Sequence, residues 1–293
     1  MTEDRRPLPH EALFWRRLAH WGASRGPEWW VRYSPPAFGW AAAALVPSAR
    51  RAVVRNLNRI RGPVPPAREM REVLATFSNY ASCLAEVLSN DAETGPKPPS
   101  TVIRREKFVH DARDHKRGII MVTAHTAGWE TVGPVLMRDQ GLPILIVMRA
   151  EADDRAQSLH DEARKRGGVL IVHAGDDPLA SLPLLRHLRA GGAVAPQLDR
   201  VAPGMRTREV DFLGERTLVP EGALRLAQVS GAPILPMFCA RIGYRSYAVE
   251  LYESRFVSRH ASDAEIDGVA QHLAASLEAY LHVHPTQWFN FQS

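Results

Sequence analysis

Gly118-Ile-Ile-Met-Val-Thr-Ala-His-Thr-Ala-Gly-Trp-Glu130 is the stretch from which the rest of the chain can be read. Four of the six residues in 119–124 are aliphatic or methionine and a glycine opens the run, a pattern that predicts a buried strand. His125 stands where that strand ends. Thr126-Ala127-Gly128 supplies a small, flexible turn, and an amphipathic segment over 129–138 predicts the following helix. Open α/β sheets hold their ligands at the carboxyl ends of the strands, which is where this histidine falls. On one continuous helix His125 and Glu130 would lie about 140° apart and could not meet. With the histidine in the turn and the glutamate on the first helical turn, the carboxylate folds back onto the imidazole. Such a pair orients the ring and fixes its tautomer for general-base work. Two residues of this kind also make ordinary polar loop contacts; the strand before them and the glycine between them favour chemistry.

Working outward, apolar runs recur at 143–148, 169–173, 193–198, 233–240 and 247–251. Helical patterns are predicted over 128–139, 153–167, 178–190, 220–230 and 262–283. Repeated strand–helix alternation predicts an α/β fold, a mainly parallel central sheet flanked by helices, over residues 100–293. Residues 1–93 read differently, as an α-helical region. There, 48–61 and 67–88 carry apolar side chains at three- and four-residue steps, and Gly62-Pro63 ends the first of these helices. A proline-rich stretch over 94–100 separates the two parts.

Apolar residues make up 45% of the 293, enough for a substantial core and too many for a disordered chain. Cys83 and Cys239 are too few and too far apart for a disulfide framework or a zinc site. Residues 1–10 are charged and contain proline, unlike a signal peptide. The net charge of +5 is unevenly placed: residues 1–62 hold eleven arginines against four acids, a balance of +7, leaving −2 for the remainder. Five of the seven tryptophans (Trp15, Trp21, Trp29, Trp30 and Trp40) share that basic region. Arginine attracts anionic headgroups and tryptophan favours the headgroup boundary, so a membrane-facing N-terminal region is expected. Nucleic acid competes for any basic patch, but no nucleic-acid motif is present. Between Arg32 and Arg50 lie 17 uncharged residues interrupted by Pro35-Pro36. A membrane span needs roughly 20 apolar residues, so this segment reads as dipping into one leaflet or packing on the core.

Other candidates fall at the same predicted sheet edge. Arg149 and Asp199-Arg200 end two further strands, where an arginine can hold a phosphate or carboxylate and an aspartate can hold active-site backbone in place. Glu221 and Gly222 open a predicted helix whose free amides suit an anion or oxyanion. The hydrolase-like pattern Gly22-Ala-Ser-Arg-Gly26 lacks the preceding strand such an elbow needs. His110, Asp111, Asp114 and His115 lie in a charged segment that reads as a solvated face, and no phosphate-loop or dinucleotide glycine pattern appears.

Taken in order, Ala124-His-Thr-Ala-Gly-Trp-Glu130, Met148-Arg149, Arg164 with Gly167, Gly191-Gly-Ala-Val-Ala-Pro-Gln-Leu-Asp-Arg200, Val210-Asp-Phe-Leu-Gly214, Pro220-Glu-Gly222, Gly231-Ala-Pro-Ile-Leu-Pro236 and Pro285-Thr-Gln-Trp-Phe289 resemble the lysophospholipid acyltransferase superfamily, within it the bacterial lipid A biosynthesis (lauroyl/myristoyl) acyltransferase-like branch. The resemblance implies direct transfer of an acyl chain from a thioester of acyl carrier protein or coenzyme A to a hydroxyl of a membrane lipid, glycolipid or lipid A-like acceptor. It implies His125 as general base with Glu130 as its partner, no covalent intermediate, and no metal or organic cofactor. Gly128, Trp129, Arg149, Arg164, Asp199, Arg200, Glu221 and Gly222 are then the expected substrate-binding or oxyanion residues. The expected location is the cytoplasmic face of a bacterial inner membrane, peripheral or monotopic. The acceptor stays open between lysophospholipid, glycolipid and a specialised polyene product. A thioesterase or lipid hydrolase using the same pair is the competing class.

Overall fold

A computed structural model describes residue 22 and residues 26–89, 99–128, 133, 135–136, 141–149, 170–174 and 181–292. Its helices are α1 (Glu28–Tyr33), α2 (Pro35–Leu45), α3 (Pro47–Arg61), α4 (Pro66–Ser89), α5 (Lys107–Arg113), α6 (Leu182–Arg189), α7 (Gly222–Ser230) and α8 (Asp263–Val283). Its strands are β1 (Ser100–Arg104), β2 (Ile119–Val122), β3 (Ile144–Arg149), β4 (Leu170–Ala174), β5 (Ala193–Ala195), β6 (Thr207–Phe212), β7 (Glu215–Pro220), β8 (Ile234–Gly243) and β9 (Ser246–Leu251). Seven strands form one sheet in the order β1-β9-β8-β2-β5-β3-β4, while β6 and β7 form a separate hairpin.

β2 lies at the centre of the sheet, parallel to β8 on one side and β5 on the other, and every residue of it is buried. An unbroken aliphatic run is what such a position demands, since both faces of a parallel sheet are covered. Its side chains alternate between two layers. Ile120 and Val122 join Leu188, Leu224, Leu273 and Tyr280 beneath α6, α7 and α8. Ile119 and Met121 join Cys83, Val109, Ala112 and Tyr247 on the opposite face. The expected mainly parallel sheet is therefore present, with one departure. β9 runs antiparallel to β8, because Tyr244-Arg245 joins them as a two-residue hairpin, and β1 lies parallel to β9 at the edge. The predicted strand over 193–198 is regular only over β5 and continues as an isolated bridge between Thr123 and Gln197.

The charged segment presents His110, Asp111, Asp114 and His115 to solvent as expected, and part of it forms α5, which buries Val109 and Ala112. In the N-terminal region α2 buries Pro35, Gly39 and Ala43. A Cβ on Gly39 would come within 2.6 Å of the Phe77 carbonyl oxygen of α4, so the glycine permits the close crossing of these helices. The opposite side of α2 exposes Phe38, Trp40 and Leu45. Pro35 starts α2, as suits a proline without an amide proton to donate. No described helix is long and apolar enough to cross a membrane.

Candidate active site

His125 and Asp199 meet because their strands are neighbours. β2 and β5 pair in parallel, Ile120 opposite Val194. Their ladder runs on past the regular strands through Thr123 N–H to the Pro196 carbonyl at 3.0 Å and Leu198 N–H to the Thr123 carbonyl at 2.8 Å. Just beyond, His125 Nδ1 lies 2.8 Å from Asp199 Oδ1, and the His125 amide donates to both carboxylate oxygens at 3.2 Å. The Asp199 side chain is 1% exposed and the imidazole 19%. Burial by itself would raise the Asp199 carboxyl; His125, Trp288 and Arg200 outweigh it and hold the group below the ordinary carboxylate range. An ionised aspartate at this spot requires Nδ1 to carry a proton, which leaves the lone pair of a neutral ring on Nε2.

The last residues of the fold strap this turn. Trp288 Nε1 donates to Asp199 Oδ2 at 2.8 Å. Phe289 N–H donates to the His125 carbonyl at 2.7 Å, and Ala127 N–H to the Gln287 carbonyl at 3.2 Å. The Gln287 amide pairs with both backbone groups of Arg241 on β8, accepting at 2.7 Å and donating at 3.1 Å, which fixes the strap to the sheet. Arg200 Nη2 donates to the Phe289 carbonyl at 2.8 Å. Below the turn, Gly128 has φ +76° and a Cβ there would sit 2.2 Å from the Tyr247 ring, so a side chain is excluded twice over. Tyr247 in turn hydrogen-bonds Glu86, a buried carboxylate of α4 paired with Arg241 at 2.8 Å. The Gly128 amide bonds the Cys83 sulfur, and burial pushes that thiol up to about 12. Cys239 is likewise pushed up to about 12 by burial, so neither cysteine is a thiolate at neutral pH.

Among the described residues, three buried polar atoms around the pair have no hydrogen-bond partner: Thr123 Oγ1, Gln197 Nε2 and Arg200 Nε. Thr123 and Gln197 face each other across the ladder two residues before His125 and Asp199. Unsatisfied buried polar groups are rare in folded proteins, and a water or a substrate group is one way to satisfy them.

The other expected residues are distributed unevenly. Arg149 closes β3 at the same sheet edge as His125, and its backbone alone is described. Trp129, Glu130 and Arg164 lie outside the described residues. Glu221 precedes α7 and is held by Arg208 at 2.6 Å and Arg225 at 2.7 Å; Arg208 also reaches Asp263 at 2.7 Å. Its role there is to tie β6, α7 and α8 together, and its recorded partners do not include His125, Asp199 or Trp288. Gly222 opens α7 next to open space. Asp199 was expected to hold active-site backbone and does so through the His125 amide, but its bond to the ring was not legible from the sequence. Gln197 and Trp288 both lie in matching blocks, but neither was assigned a role from the sequence.

The model of the family described as bacterial lipid A biosynthesis acyltransferase matches residues 4–293. The chain belongs to that family. It is therefore a lipid acyltransferase, and its curated relatives agree. A phosphatidylinositol mannoside acyltransferase, found in two strains of Mycobacterium tuberculosis, is 25% identical over 300 residues, covering 99% of this acyltransferase and 90% of the relative. The protein of the same name from Mycolicibacterium smegmatis is 23% identical over 241 residues, covering 81% of this chain and 77% of the relative. Among solved structures, a 1-acyl-sn-glycerophosphate acyltransferase from Thermotoga maritima aligns with a TM-score of 0.40 at 10% identity, covering 90% of this chain and 96% of that one.

Proposed function

We propose that this enzyme moves a fatty acyl chain from a coenzyme A or acyl carrier protein thioester to a sugar hydroxyl of a mannosylated phosphoinositide or similar glycolipid, with His125 as general base. The observation that carries the proposal is the 2.8 Å contact between His125 Nδ1 and the buried Asp199, capped by Trp288, at the carboxyl ends of adjacent strands. Asp199 keeps the Nδ1–H tautomer in place, so Nε2 accepts the acceptor's hydroxyl proton as its oxygen attacks the thioester carbonyl. The tetrahedral oxyanion takes hydrogen bonds from Gln197 Nε2 and Arg200 Nε, the donors that lack partners among the described residues. As the carbonyl re-forms, the C–S bond breaks and the imidazolium returns its proton to the departing thiolate. Glu130, the acid of the HX4E motif, is assigned as a partner of His125 by the family resemblance alone.

The acceptor assignment leans on the names of the curated relatives, and the donor on the family resemblance. Attachment to the membrane surface is part of the same proposal. Trp29, Tyr33, Phe38, Trp40 and Leu45 on α1 and α2 are exposed, and α3 beside them is rich in arginine. Aromatic and aliphatic side chains of this kind enter the headgroup region without crossing it.

The test is product analysis with labelled acyl-thioester and purified glycolipid. Label in the lipid, lost with His125→Ala, supports transfer. Label released only as free fatty acid assigns the pair to thioester hydrolysis, and turnover retained by His125→Ala removes the histidine from the mechanism.

A further inference from the structure

Away from the His125 site, α3 borders a cleft that its sequence explains. Its fifteen residues, PSARRAVVRNLNRIR, include five arginines and no acid. Ala52, Val53, Leu57 and Ile60 turn inward, which leaves the arginines on the outer side. There a cleft of about 710 Å³ opens between Arg50, Arg51, Arg55 and Arg59 of α3 and the Gly214-Glu215 turn of the β6–β7 hairpin. A volume in this range suits a group the size of a nucleotide or an inositol phosphate.

The charges of the cleft are not balanced from within. Arg61, outside it, is paired with Glu72 of α4. Arg59 is paired with Glu215 at 3.1 Å and donates to the Phe212 carbonyl at 3.0 Å. Among the described residues, Arg50 and Arg55 reach only main-chain carbonyls, at 3.4 Å to Ala43 and 3.5 Å to Gln292. Arg51 has no recorded ionic or hydrogen-bonded partner among the described residues. Among the described residues these three cations thus share one wall with no carboxylate of their own, an arrangement that favours an anion entering. Guanidinium groups match phosphate oxygens in geometry as well as charge.

The cleft is also coupled in space to the His125 site. Phe212, whose carbonyl Arg59 holds, packs edge-on against Trp288 with ring centres 5.8 Å apart, and Trp288 is bonded to Asp199. One aromatic pair separates the arginine wall from the histidine pair.

We infer that this cleft binds a phosphate group carried by one of the enzyme's substrates. Two sources share that chemistry: the phosphorylated nucleotide end of a coenzyme A thioester, and the phosphodiester of a phosphoinositide acceptor. The inference rests on the acyl-transfer reading for these two carriers, whereas phosphate binding itself can be measured without turnover.

The experiment uses the full chain, the Arg51→Ala/Arg55→Ala double variant and His125→Ala. Adenosine 3′,5′-bisphosphate is titrated calorimetrically, and co-sedimentation is compared for phosphatidylcholine vesicles with and without phosphatidylinositol. Both arginines are exposed, so the double variant should melt with the parent protein. Each arginine is expected to contribute about fivefold and the pair about twentyfold to affinity, an effect that fades with salt. Loss confined to the bisphosphate assigns the cleft to the donor. Loss confined to the phosphatidylinositol-dependent part of vesicle binding assigns it to the acceptor. Equal binding of both probes by parent and double variant, or no binding of either by the parent, overturns the inference. His125→Ala should bind the probes like the parent, so a failed acyl-transfer reading and a failed phosphate site give different patterns.

Discussion

Asp199 and Glu221 are both buried carboxylates at the ends of strands, and both are held ionised by their neighbours, yet the company each keeps is different. Asp199 faces an imidazole, an indole N–H and a backbone amide. Glu221 faces two guanidinium groups, Arg208 and Arg225. Arginine stays protonated throughout the working pH range, so the Glu221 cluster is a fixed joint between secondary-structure elements. An imidazole can both accept and donate a proton through its ring nitrogens, so the Asp199 cluster can take part in a reaction. A buried acid is informative about chemistry only through the titratable partner that shares its space.

The sharpest way to break this contrast is His125→Ala, expected to lower turnover by about 10²–10⁴-fold while leaving the melting temperature near that of the parent. Asp199→Asn should fall in the same range, because an amide can no longer demand the Nδ1–H tautomer. Steady-state rates across pH for both variants check the pair, and a parent-like rate in Asp199→Asn would make Asp199 as structural as Glu221. Glu221→Gln should behave in the opposite way. It removes the buried charge shared by the partly buried Arg208 and the exposed Arg225 and is expected to cost about 2 kcal/mol in urea unfolding with turnover nearly unchanged. Trp288→Phe keeps the packing on Phe212 but removes one hydrogen bond to a charged oxygen, for which about a tenfold loss in rate is expected.

Acid should produce the smallest effect and should touch both clusters. Asp199 and Glu221 each have a folded-state carboxyl below its ordinary value: burial opposes ionisation, and His125 with Trp288 in one case, and the arginines in the other, outweigh it. Their stabilisation is therefore present above about pH 4 and is lost as pH falls through the lowered values. Unfolding midpoints measured from neutral pH downward should hold and then drop, and the drop should be shallower in Asp199→Asn and in Glu221→Gln.

Much of the central sheet was legible because its message is local. The Ile-Ile-Met-Val run of β2 is the composition a doubly covered strand needs, and His125 follows at once. Asp199 lies 74 residues further on, and only the pairing of β2 with β5 brings it to the ring. No local spacing carries that. Glu130, by contrast, lies five residues from His125, near enough in sequence to be read as its partner, and falls outside the described residues. The β6–β7 hairpin was missed although Leu213-Gly214, both with positive φ, is a suitable two-residue turn. Its strands are short and charged on one face, so their alternation is faint. α5 was hidden for a similar reason, since only Val109 and Ala112 face inward among seven residues. The direction of β9 was available from the two residues that separate it from β8, which cannot accommodate a parallel crossover.

The strap formed by Gln287, Trp288 and Phe289 has a consequence for biosynthesis. The histidine turn and its aspartate leave the ribosome long before the indole that locks them. A nascent chain can therefore build the whole parallel sheet while its reaction centre stays unfastened, and activity should switch on only after α8 has docked and carried the strap into place.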